Sequence, residues 1–210
     1  MGVQDHSDPE HSSTPPRVPT TDPAPAPAPV PIVRAAVQFY ALLFGAAIVW
    51  AFCLGESLLF KSPANAARGI HIGADFALGI AAAAVVIGFS EWTTRRTRLG
   101  EELAIALAGV LGRRSVVECV ALALASGVAE EAFFRGALQP HVGLVAASLI
   151  FGVVHFVPRR EFLPWTAFAV AAGFLLGWLF DTTGNLVAPV VAHTTINAVN
   201  LWLLSNRHTS

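Results

Sequence analysis

The sequence predicts an all-α fold: a polytopic membrane helix bundle of about six transmembrane helices, preceded by a disordered tail rich in Pro and Ala. Hydrophobic residues make up 54% of the 210 residues and charged residues only 13%, a composition typical of membrane proteins rather than soluble domains. Apolar runs long enough to cross ~30 Å of hydrocarbon recur along the chain. The formal net charge of −1 gives no indication of a nucleic-acid partner.

The tail covers residues 1–31. It is rich in Pro, Ala, Ser, Thr and Asp, and it ends in an alternating run of Pro and Ala. Such a segment cannot bury enough apolar surface to offset the entropy lost on ordering, so it is predicted to be extended and disordered. Residues 32–210 are predicted to form a single transmembrane domain.

Six apolar segments are predicted to cross the membrane. The first has no charged residue, and the fourth is short because Pro140 is predicted to end the third. Ala169, Gly173 and Gly177 give the fifth a face of small residues that lets helices approach closely, and Pro189 is tolerated in the first turn of the sixth. A short interfacial helix is predicted over 101–111. The six segments are 35–54, 72–90, 116–138, 142–157, 162–180 and 186–204.

The arginines predict the orientation. They concentrate in the loop between the second and third spans and in the loop between the fourth and fifth. With six spans these two loops lie on the same side of the membrane as both termini. The excess of positive charge in cytoplasmic loops therefore predicts that both termini are cytoplasmic.

The third span carries charged residues where a membrane helix has few. Glu130, Glu131 and Arg135 lie among Gly, Ala, Val, Leu and Phe, and each charge near the bilayer centre costs at least ~2.5 kcal/mol. Glu131 and Arg135 are four residues apart and can pair, either as a structural clamp or as part of a site. Glu130 is left without a partner on its own helix, which makes it the centre of a site hypothesis.

Three further polar side chains fall at a similar depth. His155 lies near the end of the fourth span, and His193 and Asn197 share one face of the sixth. At 1.5 Å per residue, Glu130, His155, His193 and Asn197 lie roughly 11 to 20 Å below the same membrane face. Each could simply bind a neighbouring helix, but a shared depth is what a shared site requires.

Hydrolysis is the chemistry that this set of side chains can perform. A carboxylate and an imidazole can hold a water and take its proton, and a second imidazole and an amide can donate hydrogen bonds to an oxyanion. Because no Ser or Cys lies at an evident nucleophile position, direct attack by water is favoured over a covalent intermediate. One Glu and two His could also form a zinc site with an open position, an alternative that the residue types leave open.

Three motifs, in their order along the chain, resemble those of a known family. Glu130, Glu131 and Arg135 read as EExxxR, Phe151 and His155 as FxxxH, and His193 and Asn197 as HxxxN. Between residues 116 and 204 the chain resembles the CPBP family, the CAAX protease and bacteriocin-processing intramembrane endopeptidases. The earlier spans and the tail match only as generic membrane sequence.

The resemblance implies a glutamic intramembrane protease. Glu130 and His155 would activate water, His193 and Asn197 would form the oxyanion site, and Glu131 and Arg135 would hold the site together without a metal cofactor. With six predicted spans and a tail rich in Pro and Ala, the chain looks like a bacterial member in the inner membrane. The expected substrate is a membrane-anchored protein, cleaved by CAAX-type processing or by maturation of a sorting signal or bacteriocin. The predicted topology puts the nearest face of the site outside the cytoplasm, whereas eukaryotic-type members act on the cytoplasmic side.

Two functions from other classes remain as alternatives. A proton-coupled carrier could use the buried Glu and His residues as a relay, but it should show inverted repeats or paired broken helices, which the sequence lacks. A non-catalytic immunity or scaffold protein would need Glu130 only for stability. The oligomeric state is not predicted.

Overall fold

The computed structural model describes residues 1–2, 32–54 and 67–207, and these residues form helices and no strand. The predicted disordered tail lies outside them apart from its first two residues. A π-helical segment, Ala132–Leu138, joins the fourth α-helix to the fifth, and a short 3₁₀ turn, Arg160–Phe162, precedes the sixth. The α-helices are α1 Ile32–Leu54, α2 Ile72–Arg96, α3 Arg98–Leu111, α4 Val116–Glu131, α5 Gln139–Val154, α6 Leu163–Thr183 and α7 Val187–Asn206.

Five helical segments of the described chain are long and apolar enough to cross a membrane, which confirms the predicted membrane helix bundle. Four of them correspond to predicted spans one, two, five and six. The remaining segment, Val116–Val154, is 39 residues long and contains both the third and the fourth predicted spans. The short helix predicted over 101–111 is α3, which begins three residues earlier than predicted.

The chain turns back at Gly143, and the predicted end of a helix at Pro140 is wrong. Pro140 lies at the start of α5, where its missing N–H is tolerated. Gly143 has φ 81° and ψ 167°, a conformation that glycine adopts without a steric penalty. In a straight helix Glu130 and His155 would be about 38 Å apart, yet their side chains approach to 3.7 Å. The arm after Gly143 is therefore a short helix that folds back into the bundle.

The two ends of the bundle carry different polar contacts. At one end Arg207 pairs with Glu91 at 3.2 Å, and the Ser205 hydroxyl accepts a hydrogen bond from the Arg114 amide at 2.6 Å. This end also holds the arginine-rich loops and α3, and we call it the arginine face. At the opposite end Asp75, fully buried, accepts a hydrogen bond from Asn185 at 2.7 Å. α2 and α7 end at the arginine face, and α4 begins there. α4 therefore runs in the opposite direction to α2 and α7, as the predicted topology requires.

Small residues let the central helices approach closely. A Cβ on Gly127 of α4 would lie 2.3 Å from Thr194 Oγ1 of α7, so these two helices touch through their backbones. On α6, Gly173 lies against Ser148 and Gly177 against Gln139, which confirms the small-residue face predicted for the fifth span. The close contacts bring α4, α5, α6 and α7 together around the charged residues of α4.

Candidate active site

Arg135 and Glu131 form a buried ion pair at the junction of α4 and the π-helical segment. Arg135 Nη1 lies 3.0 Å from Glu131 Oε1, and the side chains are 1% and 0% exposed. Arg135 also donates from Nη2 to the Gly173 carbonyl at 3.1 Å, and its guanidinium lies 4.5 Å from the centroid of the Phe151 ring. The pair therefore joins α4 to both α5 and α6.

Glu131 connects this pair to the last helix. Its Oε1 atom accepts a second hydrogen bond from His193 Nδ1 at 2.7 Å. Because Nδ1 donates to a carboxylate, Nε2 is the nitrogen that His193 presents to the rest of the site. The orientation of the imidazole on α7 is thus determined by a carboxylate on α4, which is the usual way in which proteins orient a functional histidine.

Glu130 faces both histidines. Its Oε2 atom lies 3.7 Å from His155 Nε2 and 4.0 Å from His193 Nε2, distances slightly too long for direct hydrogen bonds. The carboxylate is nearly buried, and among the described residues Oε2 has no hydrogen-bond partner. A buried carboxylate oxygen without a partner lowers stability, and its presence calls for an explanation such as a functional role.

His155 reaches the site because α5 folds back at Gly143. Its Nδ1 donates to the Phe151 carbonyl at 2.7 Å, so Nε2 is directed at Glu130. The ring packs against Trp165 of α6, with 5.8 Å between ring centroids. Both contacts hold the imidazole in one orientation.

Asn197 lies one turn after His193 and binds a serine that the sequence analysis did not include in the site. Its Nδ2 donates to Ser126 Oγ at 2.9 Å, and Ser126 in turn donates to the Ala123 carbonyl at 3.2 Å. The available signal was spacing, because Ser126 precedes Glu130 by four residues and so shares its helix face. Ser126 contacts an amide and a carbonyl rather than an imidazole, so its hydroxyl has no base beside it.

A cavity of about 300 Å³ connects these side chains. Glu130, His155, His193 and Asn197 all line it, together with Tyr40 of α1, which the sequence analysis also missed. Away from Glu130 the walls are formed by residues such as Leu122 and Leu201, about 12 Å along α4 and α7 in the direction of the arginine face. The cavity thus extends from the buried carboxylate toward the arginine face.

Within the part of the chain that the structure describes, no three His, Cys, Asp or Glu side chains are arranged to hold a metal ion. Instead, Glu131 pairs with Arg135 on one side and accepts a hydrogen bond from His193 on the other. All six residues predicted for the site therefore lie in one connected cluster or along the cavity beside it.

Comparisons with known proteins point to the same part of the chain. Residues 112–199 match a family model described as Type II CAAX prenyl endopeptidase Rce1-like. An uncharacterized protein, YpbD of Bacillus subtilis (strain 168), is 44% identical over 92 residues, which are 43% of this chain and 47% of that protein. The chain therefore matches about half the length of this curated relative. No solved structure matches significantly.

The matched residues include the whole of the cluster described above, from Glu130 to Asn197. They exclude α1, α2 and α3. Over residues 112–199 the chain is thus similar to the Rce1-like CAAX prenyl endopeptidases.

Proposed function

We propose that this protein is an intramembrane endopeptidase that cleaves a membrane-anchored protein by direct attack of water. The observation that carries the proposal is the Oε2 atom of Glu130, buried without a hydrogen-bond partner among the described residues and facing two imidazoles across a cavity. The match to the Rce1-like family supports the same activity. Glu130 and His155 are the groups that activate the water.

The distance between these two groups suits a shared water. A water off the line between Glu130 Oε2 and His155 Nε2, which are 3.7 Å apart, lies within hydrogen-bond reach of both. Nε2 of a neutral His155 is an acceptor, because Nδ1 carries the proton that is donated to Phe151. Two acceptors on one water direct its two protons toward the protein and its lone pair toward a substrate carbonyl.

His193 and Asn197 are the donors proposed for the oxyanion. As an oxyanion donor His193 carries protons on both ring nitrogens, with Nδ1–H bound to Glu131 and Nε2–H available to the oxyanion in the cavity. Asn197 gives one amide hydrogen to Ser126 and has a second for the oxyanion. Preorganised donors of this kind contribute roughly 10² to 10³ each in kcat.

The proposed reaction hydrolyses the peptide bond without a covalent intermediate. The water oxygen bonds to the scissile carbonyl carbon while Glu130 takes one of its protons, and the carbonyl oxygen becomes the oxyanion. Glu130 then gives that proton to the amide nitrogen, and the C–N bond breaks. The products are a carboxylic acid and an amine, and the carboxylate of Glu130 is restored.

The direction of the cavity supports access from the arginine face. From the excess of positive charge in cytoplasmic loops we propose that this face, where α4 begins and α7 ends, is the cytoplasmic one. The site is predicted to lie nearest the outer face, but a cavity in this direction lets a substrate reach it from the cytoplasmic side. We propose a substrate with a membrane anchor next to the cleaved bond, as in CAAX-type processing or the maturation of a sorting signal or bacteriocin.

The test replaces Glu130 by Gln, which keeps the size of the side chain and removes the base. We expect Glu130→Gln at native abundance to leave one or a few membrane proteins with an uncut terminal segment, detected by mass spectrometry of protein termini in cells. The loss of a general base predicts a decrease of about 10² to 10⁴ in the cleavage rate. Glu102→Gln, the same change at an exposed position on α3, is the matched control and should leave cleavage unchanged.

Identical termini in cells with the native chain and with Glu130→Gln would refute the protease and favour a binding or scaffold role. The zinc alternative makes a separate prediction. Under the proposal, purified protein in detergent keeps its cleavage rate in the presence of a strong zinc chelator, whereas a zinc enzyme would lose it and regain it with added zinc.

A further inference from the structure

Tyr40 is the polar side chain that α1 contributes to the cavity. Ile32, Ala36 and Tyr40 recur every four residues and line the cavity from its outer end to the level of Glu130. Tyr40 lies outside the residues 112–199 that match the family model, and it is the single tyrosine of the sequence. Its position is therefore a feature of this chain that the family match does not cover.

The packing of α1 holds Tyr40 beside the site. Ala47 is fully buried against Ala132 and Ala137 of the π-helical segment, and Trp50 packs edge-on against Phe133 with 6.2 Å between ring centroids. These contacts lie two to three turns beyond Tyr40 along α1. The helix thus lies against the π-helical segment, which carries Arg135 and begins two residues after Glu130.

Tyr40 and Glu130 line the same cavity of about 300 Å³, so the Tyr40 phenol is the polar group that α1 places beside this carboxylate. Glu130 otherwise faces His155 and His193 at 3.7 and 4.0 Å. A carboxylate surrounded by contacts of this length can rotate about its last bond. A hydrogen bond from a phenol to the carboxylate removes that freedom.

We propose that Tyr40 is a positioning residue for Glu130: its hydroxyl donates to the carboxylate and orients it toward the attacking water. The role as stated rests on the proposed protease function, but the contact itself does not. Tyr40 touches no reacting atom in this scheme. A hydrogen bond to a charged group at this position predicts a decrease of about tenfold in kcat when the hydroxyl is removed.

The contact can be measured without any substrate. Because the chain has one tyrosine, uniform incorporation of 3-fluorotyrosine gives a single ¹⁹F resonance from position 40 in the purified protein. We expect Glu130→Gln to move this resonance by more than its linewidth and Glu102→Gln, at an exposed site on α3, to leave it in place. A resonance that does not respond to Glu130→Gln, or responds equally to both changes, overturns the proposal.

The kinetic consequence uses Tyr40→Phe, which removes only the hydroxyl, and Leu42→Ala as a control on the exposed side of the same helix. We expect Tyr40→Phe to lower kcat about tenfold with KM within twofold, and Leu42→Ala to change neither. An unchanged kcat in Tyr40→Phe overturns the positioning role. If the native chain cleaves nothing, the proposed function fails, while the ¹⁹F experiment still decides whether Tyr40 and Glu130 are in contact.

Discussion

The Glu131–Arg135 pair should stabilise the protein only as a pair. Both side chains are almost fully buried, and Glu131 Oε1 accepts from Arg135 at 3.0 Å and from His193 at 2.7 Å. Arg135→Met keeps most of the side-chain volume and leaves the Glu131 carboxylate buried without its cation. Glu131→Gln keeps an acceptor for His193 and leaves the guanidinium without its anion.

The expected magnitude follows from this burial. Removing one partner of a buried pair destabilises by about 3–5 kcal/mol, because the remaining charge stays in a low-dielectric environment. The double variant Glu131→Gln with Arg135→Met leaves neither charge behind. Its loss in the free energy of unfolding should therefore be smaller than the sum of the single losses by about 2–3 kcal/mol.

The assay is a double-mutant cycle on detergent-solubilised protein, with unfolding by SDS followed through tryptophan fluorescence. Arg95 and Glu91 provide the comparison, since they have the same spacing and the same 3.0 Å distance but Arg95 is exposed. Arg95→Met should change stability by no more than about 0.5 kcal/mol. If the losses from the two buried substitutions add to within about 0.5 kcal/mol, Glu131 and Arg135 are not coupled and do not stabilise the protein as a pair.

Two further predictions concern how the bundle holds the site. Gly127→Val places atoms where Thr194 packs, so it should separate α4 from α7 and abolish cleavage. Gly109→Val on α3 meets open space and should leave cleavage intact. Equal activities of the two purified variants would contradict this prediction. Asn185→Leu removes the hydrogen bond to buried Asp75 and should lower the free energy of unfolding by about 1–3 kcal/mol in the same SDS titration, and a change below 0.5 kcal/mol would argue against it.

Composition and spacing were sufficient for the helices and for the members of the site. Apolar runs specify membrane helices strongly because an unpaired backbone group in hydrocarbon is costly, so α1, α2, α6 and α7 lie close to where the sequence predicts them. Charged residues inside such runs are conspicuous for the same reason. Glu130, Glu131 and Arg135 could therefore be identified before any contact was known.

The sequence predicts that the helix ends at Pro140, whereas the chain turns back at Gly143. Pro140 is the stronger helix breaker, but at the start of a helix its missing N–H is harmless. Gly143 resembles many other glycines of the sequence until its φ is known. The structure also adds Ser126 and Tyr40 to the site, and Tyr40 lies on a helix about ninety residues away from Glu130 in the sequence.

The segments that enter the membrane and the buried polar groups that need partners could be read from the sequence, because both follow from the energetics of transfer into an apolar environment. The partners themselves depend on how the helices pack. Glu131 binds Arg135 on the adjoining π-helical segment and His193 on α7, and Glu130 faces His155 on the folded-back arm. Helical periodicity specifies the face on which a side chain lies, but not which neighbouring helix it meets. That choice depends on the turn at Gly143 and on the close approach at Gly127, which are properties of packing between helices.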